Sequence, residues 1–216
     1  MSITKMSDLV EQGFNRSIEL VSLAAHNSFR FNERNTVKMV TLQGEDLEQI
    51  AEYCFSLGDM SPLAARDGMN LVQMMKEPFA LFIIGDKRKS DFNYNCGACG
   101  YKTCAELNKA EMVESFTANG PSCLFKNINL GIAANAAASS AHAMGLHCRV
   151  FSTFAFAAKA LEVIEDIDIC ISVSISAAKK NPYFDRHEYW TQDHWDETFA
   201  KEFSPYSRGF IGAVED

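Results

Sequence analysis

Apolar residues recur at helical spacing near the start of the chain. Over residues 7–26, Val10, Phe14, Ile18, Val21 and Ala25 fall on one stripe, which predicts an amphipathic first helix. Similar patterns predict helices over residues 47–57, 62–76, 105–116, 126–146 and 154–165. The 105–116 helix is followed by Asn119-Gly120-Pro121, a sequence that typically terminates a helix.

Four short segments have the pattern of β-strands. Residues 36–42 and 149–152 are β-prone, and residues 167–175 alternate apolar with polar positions, as a half-buried strand does. Residues 79–84 form a continuous apolar run, which is typical of a buried strand. Strands and helices follow in mixed order without a G-x-G-x-x-G motif after the first strand. This order favours an α+β architecture over a dinucleotide-binding fold, with residues 1–216 forming a single domain.

Composition and charge narrow the class of protein. Apolar residues make up 47% and charged residues 22%, as in ordinary globular domains. A net charge of -8 argues against a nucleic-acid surface, and the short basic runs 87–89 and 179–180 are expected to be solvated turns. The longest apolar runs are well below the ~20 residues that a membrane span needs. Residues 1–8 contain no apolar signal region, so we expect a cytoplasmic location without a membrane span.

Four clustered cysteines are the main chemical signal. Cys96, Cys99, Cys104 and Cys123 have the spacing C-x2-C-x4-C-x18-C, with Gly97 and Gly100 among them. Cys thiolates hold iron–sulfur clusters, and glycines allow the tight turns that such a ligand loop needs. A zinc site remains an alternative, although its usual pattern is two short cysteine knuckles and here the fourth cysteine stands alone. We predict an insert over residues 90–124 that carries the metal site.

Other parts of the sequence have less specific explanations. Cys54, Cys148 and Cys170 lie in apolar surroundings and are expected to be small core residues without a chemical role. The many small residues of the 126–146 helix predict a buried central helix or a dimer seam, with His142 packed or interfacial. The aromatic tail over residues 181–216 is expected to pack on its own domain or on a second subunit.

The cysteine run also resembles the [4Fe–4S] motif of Rnf-type electron-transport subunits and corrinoid iron–sulfur proteins. A wider resemblance covers most of residues 15–187. It includes the segments 66–67, 120–123, 129–133, 172–174 and 181–186. In these segments the chain is similar to the DUF2148 ferredoxin-domain family, which is itself similar to FMN-dependent nitroreductases. The resemblance implies a nitroreductase-like α+β homodimer with a [4Fe–4S] cluster and with FMN at the subunit interface.

The expected flavin loop departs from the family pattern. Where relatives carry an Ala-Arg-Thr-Ala-Pro-Lys type of loop, this chain has Ala-His-Asn-Ser-Phe-Arg over residues 25–30. A flavin site needs a cation for the phosphate and hydrogen-bonding groups for the ring or ribityl chain. The candidates for these contacts are Asn27, Ser28, Arg30, Lys180 and Arg186, with Arg34 and Lys179 as further cations. They are equally compatible with an ordinary surface loop.

The sequence therefore predicts a redox protein. The leading hypothesis is an oxidoreductase that passes single electrons between a [4Fe–4S] cluster and FMN, with a redox partner protein or a small-molecule electron acceptor. One alternative is a ferredoxin-like carrier without flavin, which would dock on a larger complex. Another is a binding protein held together by zinc. The sequence shows no constellation of side chains that demands hydrolytic chemistry.

Overall fold

A four-stranded antiparallel sheet lies at the centre of the protein. The computed structural model describes residues 5–31, 36–115 and 118–183. The strands are β1 (Lys38–Leu42), β2 (Phe79–Asp86), β3 (His147–Phe151) and β4 (Ile169–Ser176), in the spatial order β1-β2-β4-β3. In the register of the two central strands, Phe79 pairs with Ser176 and Asp86 pairs with Ile169. The carboxyl end of β2 therefore lies beside the start of β4.

Helices cover both faces of this sheet. They are α1 (Met6–His26), α2 (Glu45–Ser56), α3 (Pro62–Met74), α4 (Cys104–Lys109), α5 (Leu124–Ala143) and α6 (Thr153–Ala160). Helices α1 and α5 pack on one face, and α2, α3 and α6 contribute to the core on the other. This arrangement confirms the predicted α+β class. Within the described residues, every helix is too short or too polar to cross a lipid bilayer.

Strand β2 supplies side chains to both hydrophobic cores. Phe82 and Ile84 join the core under α1 and α5, whereas Leu81 and Ile83 join the opposite core. All eight residues of β2 are buried, so the predicted buried strand is confirmed. The stripe of the first helix is confirmed for Phe14, Ile18, Val21 and Ala25, which are buried and face the sheet, and is wrong for Val10, which is exposed. The buried strand β2 leads into the cysteine-bearing segment.

Strand β4 corrects one prediction. It was expected to expose its polar face, but Ser172, Ser174 and Ser176 are fully buried. The Ser172 hydroxyl donates a hydrogen bond to the Phe151 carbonyl at 2.7 Å, and the Ser174 hydroxyl donates one to the Arg149 carbonyl at 3.0 Å. Buried hydroxyls are tolerated when they find such partners. The alternating pattern therefore marks a strand that is covered on both faces.

The predicted helix over residues 105–116 is also wrong for its second half. Helix α4 ends at Lys109, and Ala110 adopts an extended conformation with a ψ of 139°. Beyond it, Val113 exchanges two backbone hydrogen bonds with Gly120, at 2.8 and 2.9 Å. These bonds and the capture of the Ala110 carbonyl by Arg88 replace the bonds of a helix. We call residues 110–121 the arm, and its described residues, 110–115 and 118–121, are not helical.

Candidate metal centre

The four predicted cysteine ligands line one pocket at the carboxyl end of β2. Cys96, Cys99, Cys104 and Cys123 all contribute to its wall. Its remaining lining residues are Ser90, Phe92, Tyr94, Gly97, Tyr101, Thr103, Leu107, Leu124 and Phe125. The four thiols differ in burial: Cys104 and Cys123 are 7% and 5% exposed, Cys99 is half-buried and Cys96 is exposed. The pocket therefore has a buried side and an open side.

The loop that carries the first two cysteines turns through left-handed backbone conformations. Gly97 and Gly100 have φ values of 73° and 86°, and the Gly100 N–H donates to the Gly97 carbonyl at 2.9 Å. Space around these residues would admit a Cβ, so the requirement for glycine is conformational. Asn93 and Asn95 also have positive φ, which asparagine tolerates better than most residues. The turn brings Cys96 and Cys99 back toward Cys104.

Cys104 is held at the first residue of α4. Thr103 and Glu106 form a capping box there, which fixes the start of this short helix. The Cys104 N–H donates to Asn95 Oδ1 at 2.9 Å, and Ser90 Oγ donates to Cys104 Sγ at 3.4 Å. The hydrogen bond from Ser90 lowers the pKa of the Cys104 thiol, and backbone N–H groups of the preceding loop add to this effect. The surroundings of Cys104 therefore favour a thiolate.

Cys123 is fixed through Arg88. The Cys123 N–H donates to the Arg88 carbonyl at 2.9 Å, immediately before α5 begins. The Arg88 guanidinium donates to the carbonyls of Ala110 at 2.8 Å and Pro121 at 3.1 Å, so it binds both ends of the arm. Arg88 is 4% exposed, and the prediction that residues 87–89 form a solvated turn is wrong at this position. The buried guanidinium is tolerated because carbonyl oxygens satisfy its donors.

Aromatic rings separate the pocket from the segment that follows α1. Tyr94 and Phe125 line the pocket, and the Phe125 ring lies 4.7 Å from the Phe31 ring, centroid to centroid. The Tyr94 hydroxyl donates to the Phe31 carbonyl at 2.8 Å, and the Phe31 N–H donates to Asn129 Oδ1 at 3.1 Å. The cysteine pocket and the predicted flavin loop are therefore neighbours in the fold.

A buried ion network lies behind the same wall. Lys126 is 2% exposed, and its Nζ lies 3.1 Å from Asp86 Oδ1 and 3.2 Å from Asp91 Oδ1. Thr36 Oγ1 lies 2.5 Å from this Nζ and donates to Asp86 Oδ2 at 2.9 Å. The Lys126 ammonium also lies 5.7 Å from the centre of the Phe92 ring, which lines the pocket. The network ties the cysteine loop to the sheet and to the segment after α1.

All four predicted cysteine ligands contribute to the lining of one pocket. In the described parts of the chain, no three His, Cys, Asp or Glu side chains are grouped closely enough to hold a single metal ion. None of the seven cysteines is in a disulfide. In an iron–sulfur cluster the thiolates bind different irons, so their sulfurs are distributed around an inorganic core. Four thiols on the walls of one pocket fit this kind of ligand set.

The flavin candidates within the described residues lie in two different places. Asn27 is the exposed C-cap of α1, and the Ser28 hydroxyl donates to the Ala25 carbonyl at 2.8 Å. Arg30 donates to the carbonyls of Ala25 at 3.1 Å and His26 at 2.5 Å, so both side chains satisfy the end of α1. Burial lowers the pKa of the Arg30 guanidinium, and the nearby Asp86 opposes this effect. These contacts leave the flavin role of the loop as a prediction.

Lys180 is not brought to this loop. It is exposed and follows the carboxyl end of β4, which pairs with the start of β2, whereas Arg30 lies near Asp86 at the other end of β2. At about 3.3 Å per residue, the eight residues of β2 separate the two sites by roughly 20 Å. Lys179 is likewise exposed, and Arg34 and Arg186 lie outside the described residues. One chain therefore does not place Arg30 and Lys180 on the same phosphate.

Sequence comparisons identify the family. Residues 119–186 match the family described as "Uncharacterized protein containing a ferredoxin domain (DUF2148)". A protein of Archaeoglobus fulgidus described as "Uncharacterized protein" is 31% identical over 180 residues, which cover 83% of this chain and 95% of that protein. The chain belongs to the DUF2148 family. The part that matches the DUF2148 model includes Cys123, and the other three cysteines of the pocket, Cys96, Cys99 and Cys104, precede it.

Structural comparisons find more distant likenesses for this DUF2148 protein. Nitroreductase A from Vibrio parahaemolyticus has a TM-score of 0.46 at 14% identity, with 93% of this chain and 83% of that chain covered. The NADPH:FMN oxidoreductase from Vibrio harveyi, in complex with NAD+, has a TM-score of 0.45 at 14% identity, with 94% and 84% covered. At this level of likeness, the nitroreductase-like form of the α+β fold stays a prediction.

Proposed function

We propose that this DUF2148 protein is a redox protein whose four clustered cysteines hold a [4Fe–4S] cluster. The observation that supports this most directly is the pocket itself. Cys96 and Cys99 lie in one loop, Cys104 begins α4 and Cys123 directly precedes α5, yet all four line the same pocket, although 19 positions separate Cys104 from Cys123. Cys104 and Cys123 are buried, and their backbone N–H groups donate to Asn95 Oδ1 and to the Arg88 carbonyl. A chance grouping of core cysteines would not need such positioning.

The bound cluster would accept and release one electron at a time. The protein's part is to hold the thiolates, exclude water and set the local charge. Leu107, Phe92 and Phe125 make the inner side of the pocket apolar, whereas the exposed Cys96 leaves its outer side open. Electrons would enter or leave through this open side, where a redox partner protein or a small-molecule acceptor has access.

Flavin is the proposed second cofactor. The Tyr94–Phe125–Phe31 contacts place the cysteine pocket beside the loop that carries Asn27, Ser28 and Arg30. Arg30 could supply a guanidinium to an FMN phosphate if it released the carbonyls at the end of α1. Lys180 and Arg186 would then come from a second subunit, because Lys180 lies at the opposite end of the sheet. This arrangement requires the homodimer that the sequence resemblance implies.

The second candidate function is a ferredoxin-like electron carrier without flavin. The observation that favours it is the use of Ser28 and Arg30 as partners for the carbonyls of α1. Those contacts give both side chains a structural role that needs no cofactor. A zinc-held binding protein is a weaker alternative, since structural zinc sites usually have two short cysteine knuckles and here the fourth cysteine stands alone.

One preparation tests these proposals together. The protein is purified without oxygen, and iron, sulfide, zinc and flavin are measured per chain alongside the visible spectrum and the mass in solution. About four irons with matching sulfide support the cluster, and a stoichiometric flavin in a dimer supports the oxidoreductase. Iron and sulfide without flavin favour the carrier. A colourless protein that contains zinc in place of iron overturns the redox proposal.

A matched pair of variants assigns the ligands. Cys99→Ala removes a half-buried pocket thiol, and Cys148→Ala removes a half-buried thiol that lies outside the pocket. We expect Cys99→Ala to lose most of its iron and visible absorption and Cys148→Ala to keep both. Equal iron content in the two variants would contradict the assignment of Cys99.

A further inference from the structure

Ser90 is placed to act on one predicted cluster ligand. Its hydroxyl lies 3.4 Å from Cys104 Sγ, within hydrogen-bond distance for sulfur, and both side chains are buried. The two residues are 14 positions apart, so the fold rather than the local sequence creates this contact. Ser90 itself is not among the conventional ligands of a metal or cluster.

The Ser90 backbone is fixed on both sides by one amide side chain. The Ser90 N–H donates to Asn108 Oδ1 at 2.8 Å, and Asn108 Nδ2 donates back to the Ser90 carbonyl at 2.7 Å. Asn108 belongs to α4, the helix that begins with Cys104. Ser90 is thus bonded to the helix that carries Cys104 by two further hydrogen bonds, which do not involve the hydroxyl or the sulfur.

The direction of the hydroxyl proton follows from the state of the sulfur. A serine hydroxyl has one proton to donate and two lone pairs to offer. The Phe92 N–H donates to Ser90 Oγ at 3.4 Å and occupies one of these lone pairs. A thiolate that binds a cluster has no proton, so the Ser90 hydroxyl is the donor to the Cys104 sulfur.

We propose that Ser90 is a positioning residue for the cluster: its hydroxyl orients the Cys104 thiolate and raises the reduction potential of the bound cluster. The proposal rests on the cluster assignment above. Hydrogen bonds to ligand sulfurs are one of the means by which proteins set such potentials. They stabilise the reduced form more, because that form has the greater negative charge on its sulfurs.

The test compares Ser90→Ala and Ser90→Thr with wild type and with Ser122→Ala. Ser122 lies next to Cys123 in the sequence, but its hydroxyl accepts from Asn127 Nδ2 at 2.7 Å, so its removal is a matched control. Each protein is prepared without oxygen, its iron and sulfide are counted, and its midpoint potential is measured in an optical redox titration. We expect the midpoint potential of Ser90→Ala to be lower than that of wild type by about 59 mV. For a one-electron couple this corresponds to about a tenfold change in the reduction equilibrium.

The outcomes separate this inference from the cluster proposal. Ser122→Ala and Ser90→Thr, which keeps a hydroxyl, should titrate close to wild type. A Ser90→Ala protein that folds but loses its cluster, while Ser90→Thr keeps it, also supports the positioning role. A fully loaded Ser90→Ala protein at the wild-type potential, or a Ser90→Thr protein as impaired as Ser90→Ala, overturns the inference. Wild-type protein without iron and sulfide overturns the cluster proposal instead, and this inference with it.

Discussion

Replacement of Lys126 by methionine should strongly destabilise the fold. Methionine is close to lysine in length and keeps the apolar contact with the Phe92 ring, but it removes the ammonium that lies 3.1 Å from Asp86 and 3.2 Å from Asp91. The Asp86 carboxylate is fully buried and would keep its hydrogen bonds from two neutral donors, the Thr36 hydroxyl and the Lys87 N–H, with the Arg30 guanidinium nearby. The substitution therefore removes the cation that contacts this buried carboxylate directly.

The size of the effect follows from this loss of compensation. Removal of one partner from a buried ion pair typically costs about 3 to 5 kcal/mol of unfolding free energy. A chain of this length loses about 2 to 4 °C of melting temperature for each kcal/mol, so the expected decrease is about 6 to 20 °C. An exposed lysine in the same region, Lys102, gives the matched control, because its change to methionine should stay within about 0.5 kcal/mol.

Urea unfolding and thermal melting, followed by circular dichroism at equal iron content, measure these differences. The Asp86→Asn variant and the double variant complete a thermodynamic cycle with Lys126→Met. We expect Lys126→Met to cost less in the Asp86→Asn background, with a coupling of about 0.5 to 3 kcal/mol. A Lys126→Met protein as stable as Lys102→Met, or costs that simply add, would refute the reasoning.

Three further predictions test other parts of the structure. Arg88→Met should lower the unfolding free energy, measured in urea, by about 3 kcal/mol, because two charge-assisted hydrogen bonds to the arm disappear. It should also lose most of the bound iron. Lys89→Met, a change at an exposed neighbour, should affect neither quantity. In metal-free protein at neutral pH, iodoacetamide should modify exposed Cys96 well before Cys54, whose pKa burial raises to about 12; equal rates by peptide mass spectrometry would contradict this. Burial raises the pKa of Asp67, so the folded state holds its proton more tightly than the unfolded state does. The unfolding free energy of wild type relative to Asp67→Asn should therefore increase as pH falls through that raised pKa and level off below the ordinary aspartate range; a difference that is independent of pH would refute it.

The elements that could be predicted are those whose pattern is local. The stripe of α1 reflects the packing of one helix face on the sheet, and the apolar run of β2 reflects burial on both faces of the sheet. The second half of the predicted 105–116 helix fails because its backbone groups find partners far along the chain. Arg88, for example, takes the Ala110 carbonyl from a position 22 residues away. The spacing of apolar residues within a segment contains no information about such distant hydrogen-bond partners.

The same distinction applies to the candidate site. Cysteine spacing predicts the four thiols because the residue type itself carries the chemistry, and the structure lines one pocket with all four. Ser90 and Lys126 have no comparable signal, since their partners are 14 and 40 residues away. By contrast, the supporting residue Asn95 lies beside a cysteine in the sequence, and its Oδ1 accepts a hydrogen bond from the Cys104 N–H. Supporting residues become visible once the fold has brought them to the ligands.

The arm gives the spacing of the cysteines a different meaning. Arg88 binds its two ends, at Ala110 and Pro121, and the Cys123 N–H bonds to the Arg88 carbonyl. The entrance and exit of the arm are thus fixed together whatever number of residues runs between them. Of the 18 residues between the third cysteine and the fourth, the arm supplies twelve, so this interval reflects the length of the arm. Homologues with longer or shorter arms can keep the same centre, and a search pattern with a fixed interval would miss them.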